Sequence, residues 1–238
     1  MKRYYAIGDV HGLGRRLETL HSQIIQHIQT VGGEAVVVHL GDYVDRGPDS
    51  KRVIQACIDF RKKGEELGFE TVFLKGNHED MFLTAYAGSD FHPGAQMFVM
   101  NGGHETLMSY TRENDPANWR DAIPAEHLEF LRGLKYDYWA EEDKLYFVHA
   151  GIDATTFPNC SDDVKLWTRE HRRDDYTMWN ANPALEGVMV VHGHTPNRLF
   201  VVEHDAGRRL NLDTGAVFGG KLTCGIISPG SPPTYLQA

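Results

Sequence analysis

The heptapeptide Gly41-Asp42-Tyr43-Val44-Asp45-Arg46-Gly47 follows the apolar run Ala35 to Leu40 and precedes Pro48-Asp49-Ser50. The run reads as a strand, and Asp49 or Ser50 can cap a helix continuing to Lys63. Strand, Gly-Asp turn and helix together form part of a βαβ unit. The same order recurs on either side. A strand at Arg3 to Ile7 leads through Gly8-Asp9-Val10-His11-Gly12 into a helix from Gly14 to Thr30. In that helix Leu17, Leu20, Ile24, Ile25 and Ile28 recur at three- and four-residue steps. A third strand, Glu70 to Leu74, leads through Lys75-Gly76-Asn77-His78 into a helix from Glu79 to Ala87.

The last third is strand-rich, with candidates at Lys144 to Val148, Val188 to Val191, Leu199 to Glu203, Arg208 to Leu212 and Lys221 to Ile227. Between the halves, residues 91–140 read as a helical, irregular insertion that could cap a site. No repeat or Pro/Gly/Ser-rich linker divides the chain, so residues 1–238 are expected to form one domain. The expected class is α/β: a layered sandwich of mixed sheets with helices outside.

Composition limits the functions available. A chain of 238 residues that is 41% hydrophobic and 24% charged is ordinary for a globular protein. Its apolar runs are too short to span a membrane, and the N-terminus reads as a strand rather than a signal peptide. Three widely spaced cysteines give no disulfide framework or thiolate zinc site, so a cytoplasmic protein is expected. A net charge of −9 disfavours nucleic-acid binding through a basic field. It would also repel an anionic substrate unless a bound cation reverses the local sign.

Five clusters carry the chemistry: Gly8 to Gly12, Gly41 to Gly47, Gly76-Asn77-His78-Glu79, His149-Ala150-Gly151 and His192-Gly193-His194-Thr195. Four fall just after an expected strand, where α/β sheets build their sites. Asp, Asn and imidazole without cysteine suit Mn²⁺, Fe or Zn²⁺. A bridging Asp could hold two metals ~3.5–4 Å apart, a clamp for in-line displacement at phosphorus. Arg46 and Arg169 offer planar forks for phosphate oxygens. Each cluster alone is better read as a turn or a satisfied core histidine; five in order at strand ends outweigh that reading.

In this order the clusters resemble the PPP-type metallophosphoesterases over nearly the whole chain. The resemblance is nearest to the short bacterial and phage protein serine/threonine phosphatases, similar to the phage lambda phosphatase. Leu166-Trp167-Thr168-Arg169-Glu170 and Leu212 to Phe218 support that subgroup. The resemblance implies a calcineurin-like sandwich of two mixed β-sheets flanked by helices. It implies that Asp9, His11 and Asp42 hold one divalent metal, and that Asp42 bridges to a second completed by Asn77, His149 and His194. His194 is preferred to His192 because it precedes Thr in Gly-His-Thr. Mn²⁺ is the first choice of ion, with Fe or Zn²⁺ as alternatives.

Arg46 and Arg169 would grip phosphate, and His78, oriented and kept cationic by Asp45, would protonate the leaving oxygen. Lys75 stands where such phosphatases often carry Arg, and either binds substrate or is a solvated strand-end lysine. The implied reaction is hydrolysis of phosphoserine and phosphothreonine, with phosphotyrosine also accepted, by a metal-bridging hydroxide. The rival is a symmetrical diadenosine tetraphosphate hydrolase on the same metals. Such hydrolases usually lack the Asp at position 45 and carry Asp where Glu79 stands, so both residues favour the phosphatase. The expected partner is therefore a phosphoprotein, or else a phosphorylated small molecule or nucleotide.

Other patterns carry less. Gly215 to Leu222 nearly spells a Walker A loop, but Leu222 replaces the Mg²⁺-binding hydroxyl. Glu141-Glu142-Asp143 reads as a solvated turn. Trp167, Tyr176 and Trp179 read mostly as core, with some able to wall a groove. Asn101-Gly102-Gly103-His104 reads as a helix-entry turn.

Overall fold

The computed structural model describes residues 2–88, 93–111, 116–169, 176–205 and 207–238. In chain order its strands are β1 (Arg3–Ile7), β2 (Ala35–His39), β3 (Glu70–Phe73), β4 (Asp137–Ala140), β5 (Leu145–Val148), β6 (Met189–His192), β7 (Glu203–Asp205), β8 (Arg209–Asn211), β9 (Thr223–Ile227) and β10 (Thr234–Gln237). The helices are α1 (Gly14–Val31), α2 (Ser50–Leu67), α3 (Asn77–Ala87), α4 (Pro93–Phe98), α5 (His104–Thr111), α6 (Ala125–Arg132), α7 (Asp162–Trp167) and α8 (Thr177–Ala181).

Alternation along β1 explains the layering. Tyr4 and Ala6 face one apolar cluster, and Tyr5 and Ile7 face another. In β2, Val36 and Val38 join the first cluster, and Ala35 and Val37 the second. A strand buried on both faces needs a continuous apolar run, which Ala35 to Leu40 supplies. One sheet has the order β10-β9-β1-β2-β3, with β1, β2 and β3 parallel and β9 and β10 antiparallel. The other has the order β4-β5-β6-β8-β7, with β5, β6 and β8 parallel and both edges antiparallel.

The sheets pack face to face through Tyr4, Val38, Leu40, Phe147, Val191 and Leu210. Helices α1 and α2 cover the first sheet with Leu17, Leu20, Ile24, Val53, Ile54 and Cys57. Phe157, Trp179 and Leu185 cover Tyr146, Val148 and Val190 on the second. The architecture is the expected sandwich of two mixed sheets flanked by helices.

Several details differ from the sequence reading. Helix α2 runs past Lys63 to Leu67 and stops at Gly68, whose φ of 78° ends the helix. Helix α3 begins at Asn77 rather than Glu79. Asp49 makes no capping side-chain bond. Leu199–Val202 is not a strand: the Asn197 side chain accepts the Leu199 and Val201 N–H groups and donates to the Val201 carbonyl, closing a tight loop. β4 occupies the end of the expected helical insertion, and β10 is a strand additional to those expected. In the acidic turn, the Asp143 carboxylate accepts a hydrogen bond from the Tyr4 hydroxyl at 2.6 Å. No helix among the described residues is long and apolar enough to cross a membrane.

Candidate metal centre

The parallel strands β1, β2, β3, β5, β6 and β8 deliver their C-terminal loops to one place. Asp9 and His11 come after β1, Asp42, Asp45 and Arg46 after β2, and Asn77 and His78 after β3. His149 follows β5, His194 follows β6 and Asp213 follows β8. Except for Arg46, these side chains are buried. His11, Asp42, Asp45, Arg46 and His194 all have φ between 44° and 71°, the left-handed region that costs non-glycine residues about 1–3 kcal/mol each.

Glu79 holds the loop in that shape. Its carboxylate accepts N–H groups from Gly76, Asp42, Tyr43 and Val44 at 2.8, 2.9, 2.8 and 3.2 Å. Burial pushes its pKa up, and the four amides pull it back. Close approach also demands glycine: a Cβ on Gly76 would lie 2.1 Å from Asp42 Oδ1, and one on Gly193 2.1 Å from Asp9 Oδ1.

Two donor groups meet at Asp42. His11, Asp42 and His78 form one, and Asp42, His149 and His194 the other. His11 Nε2 is 3.4 Å from Asp42 Oδ2, and His149 Nε2 is 3.4 Å from Asp42 Oδ1. Asn77 Oδ1 lies 3.0 Å from both His149 Nε2 and His194 Nδ1. His149 Nδ1 is 2.8 Å from the Leu40 carbonyl, to which it can only donate, and burial lowers its pKa to about 4. The neutral ring therefore turns a bare acceptor, Nε2, towards another acceptor, Asn77 Oδ1. Lone pairs facing each other in a buried site fit a cation between them. Asp9 lies outside both groups, its oxygens accepting the His194 N–H at 3.1 and 3.0 Å.

Asp213 is a site residue that the sequence reading does not single out, although it lies in the stretch Leu212 to Phe218. Burial raises Asp213 to about 6, and raises Asp9, where the Asp213 and Asp42 charges add to the effect. Burial, with Glu79 nearby, also raises Asp42. Buried carboxylates crowded in this way require a positive charge, so the donor set fits divalent metal.

His78 Nδ1 is 2.7 Å from Asp45 Oδ2, and its Nε2, 4.0 Å from Asp42 Oδ2, has no hydrogen-bond partner among the described residues. Burial, then the charges of His11 and Arg46, push the His78 pKa down, whereas the sequence reading expects Asp45 to keep the ring cationic near neutral pH. Burial likewise raises Asp45. Thr106 in α5 fixes Asp45: its hydroxyl accepts the Asp45 N–H at 2.8 Å and donates to Oδ1 at 2.7 Å. Ser50 Oγ joins both, 3.2 Å from Asp45 N and 2.9 Å from Thr106 Oγ1. The Gly102 carbonyl, in the turn entering α5, accepts the Arg46 N–H at 3.0 Å. The insertion thus braces the loop after β2. Thr106 carries no metal-type chemistry and sits 61 residues from Asp45, so no local sequence signal could have found it.

Arg46 Nη1 lies 2.9 Å from His11 Nε2. Arg169 follows α7, and its charge acts on His149 and Asp213; Glu170 lies outside the described residues. Lys75 is engaged elsewhere: its ammonium donates to the Tyr136 hydroxyl at 3.3 Å and is 3.8 Å from Asp80. His192 is buried next to the second donor group without belonging to it. The Trp167 ring stands 6.2 Å from that of His194 and walls the site, whereas Trp179 is core.

The calcineurin-like phosphoesterase family matches residues 2–221, and the chain belongs to that family. Its members are metal-dependent hydrolases. A bis(5'-nucleosyl)-tetraphosphatase of Bacillus mycoides (PrpE, asymmetrical) is 24% identical, over 93% of this chain and 89% of its own. An uncharacterised protein of Schizosaccharomyces pombe is 31% identical, over 98% of this chain and 80% of its own. Among solved structures, a cold-active protein-tyrosine phosphatase of a Shewanella species superposes with a TM-score of 0.65 at 18% identity, over 100% of this chain and 81% of its own.

Proposed function

We propose that this metallophosphoesterase cleaves bis(5'-nucleosyl) tetraphosphates asymmetrically, with His78 as proton donor to the leaving oxygen. The observation that carries the catalytic reading is the buried Asp45–His78 pair, whose Nε2 lies 4.0 Å from the Asp42 carboxylate shared by both donor groups. The substrate reading is supported by the similarity to tetraphosphatases over nine-tenths of both chains. Asp45 and Glu79 argue against a symmetrical hydrolase, and that argument does not touch an asymmetrical one.

Asp42, His11, Asn77, His149 and His194 would hold two divalent ions, with Asp9 and Asp213 compensating their charge. Bound there, the ions supply Lewis acidity to the phosphoryl oxygens and to a water. Arg46 and Arg169 bind and orient the phosphate chain and neutralise charge gathering on its oxygens. Asp45 holds Nδ1–H, leaving Nε2 directed at the departing oxygen. An anionic phosphate beside Nε2 offsets the Arg46 charge and favours a proton there.

A second reading, phosphoserine or phosphothreonine hydrolysis, is favoured by the same Asp45–His78 pair. A serine alkoxide is a more basic leaving group than a nucleotide and gains more from protonation. The test is metal-stripped protein reloaded with Mn²⁺ and given diadenosine tetraphosphate or a phosphoserine peptide. We expect the dinucleotide to be cleaved at least tenfold faster in kcat/KM, about 1.4 kcal/mol at the transition state, to ATP and AMP. Faster peptide turnover, or two molecules of ADP, would overturn the assignment.

A further inference from the structure

Two exposed phenylalanines lie together beside the metal centre. Phe200 and Phe218 are 36% and 54% exposed, with near-parallel rings: 17° between planes and 6.5 Å between centroids. The Arg46 guanidinium lies 5.5 Å from the Phe218 ring centroid. The same guanidinium is 2.9 Å from His11 Nε2. A continuous path therefore runs from the donor cluster through a phosphate-binding cation to two open aromatic faces.

Both rings are held by loops that fix them in advance. Phe218 ends a short 3₁₀ turn, Ala216–Phe218, between left-handed Gly215 and Gly219, and its N–H donates to the Gly215 carbonyl. Phe200 sits in the loop closed by Asn197, with φ at 54°, a conformation unfavourable for a bulky side chain. Its ring lies on the Gly215 backbone, where a Cβ would come within 2.3 Å of it. Holding an exposed ring in a disfavoured backbone conformation gives the fold little. It does preorganise a face for stacking.

We propose that Phe200 and Phe218 form a platform for the nucleobase of the nucleotide whose phosphate Arg46 grips. This inference rests on the dinucleotide reading of the site and names the residues that would recognise its base. Every base has a π-face that stacks on aromatic side chains whatever its sequence. In a nucleoside phosphate only the sugar separates base from phosphate, matching a ring placed directly beside the arginine. A phosphoserine side chain has nothing to lay on these rings.

Calorimetric binding to Mn²⁺-loaded protein separates base from phosphate without turnover. The probes are α,β-methylene-ADP and methylenediphosphonate, which share a non-hydrolysable phosphorus chain and differ by the nucleoside. The wild type is expected to bind the nucleotide about tenfold more tightly. Phe218→Ala and Phe200→Gly each bring that ratio within twofold of unity, and Phe218→Trp preserves it. A ratio near one in the wild type, or one that survives both ring deletions, overturns the platform. So does equal weakening of both probes by Phe218→Ala, because the ring would then only steady Arg46. Benzylphosphonate gaining as much from Phe218 as the nucleotide does would assign the rings to an aromatic ester instead. Failure of the substrate reading is distinguishable. A Phe218-dependent ratio in a protein that does not cleave the dinucleotide sinks that reading and keeps the platform.

Discussion

Replacing Thr106 by valine tests whether the insertion braces the proton donor. Valine keeps the shape and deletes one hydroxyl, which donates to Asp45 Oδ1 at 2.7 Å and accepts the Asp45 N–H at 2.8 Å. The backbone donor keeps Ser50 Oγ at 3.2 Å, so the main loss is one hydrogen bond to a buried carboxylate, about 1.5–3 kcal/mol. Spread over 238 residues, ~2 kcal/mol lowers Tm by about 4–8 °C. The kinetic effect is separate. Asp45 loses one of the two bonds that set its rotamer and holds His78 less firmly. We expect kcat to fall about tenfold, or ~1.4 kcal/mol, with KM within twofold, because Thr106 touches no substrate. Steady-state kinetics with saturating Mn²⁺ measures both, and Thr106→Ser, which keeps the hydroxyl, should recover most of kcat. Thr106→Val with lowered Tm and unchanged kcat would refute the positioning role and leave Thr106 a packing residue.

Glu79→Gln turns an amide NH₂ towards backbone N–H groups that now share a carboxylate. It should cost about 3–5 kcal/mol and about 10 °C in Tm, so a calorimetric shift under 3 °C would mean the loop holds its shape without that residue. For the buried carboxylates, chelation should abolish activity and lower Tm. Asp42→Asn, tolerated at φ 53°, should be no less stable than the wild type when both are metal-free and clearly less stable when both are loaded; a lower Tm for metal-free Asp42→Asn than for the metal-free wild type contradicts the charge-repulsion argument. The buried pair His21 and His39, with Nε2 atoms 2.9 Å apart, gives a pH signature. Burial lowers His39 to about 3 and pushes His21 down as well, so the folded state stays neutral while the unfolded state protonates below about 6.5. Stability is full above that pH and is lost as pH falls towards 3. Between pH 7 and 5.5 each ring costs ~1.3 kcal/mol, and His21→Gln should flatten the urea-unfolding profile by that amount; parallel profiles would show that His21 already titrates normally in the folded protein.

The parts of the fold legible in the sequence are those with strong periodicity. Leu17, Leu20 and Ile24 face the core as their spacing requires, and the run from Ala35 is buried on both faces. The misreadings share a cause. β4 and β10 are edge strands whose residues are mostly half-buried or exposed, so neither carries an apolar run. Leu199–Val202 has strand-like residues, but the Asn197 side chain offers its backbone a local alternative. The metal-type residues were legible because Asp, Asn and His recur at strand ends, and the fold brings those ends together. Thr106 and the stacked phenylalanines were not, because each acts through a tertiary contact with a residue outside its own local stretch.

The backbone of the loop after β2 links these observations. Asp42, Asp45 and Arg46 all adopt left-handed conformations within five residues, which Asp tolerates better than most side chains but which still costs each non-glycine residue about 1–3 kcal/mol. Three N–H groups of this loop accepted by Glu79, two hydroxyls on the Asp45 amide and the Gly102 carbonyl on the Arg46 amide offset the strain. The resulting turn points Asp42 at the donor clusters, Asp45 at His78 and Arg46 outward towards Phe218. A relaxed extended loop, with side chains alternating between two faces, would not place three successive chemical groups around one reaction centre. The strain is therefore the geometric condition under which the proposed ion binding, proton donation and phosphate recognition would meet in a single turn. It also explains why the supports come from three separate places: α2 through Ser50, α3 through Glu79, and the insertion through Gly102 and Thr106.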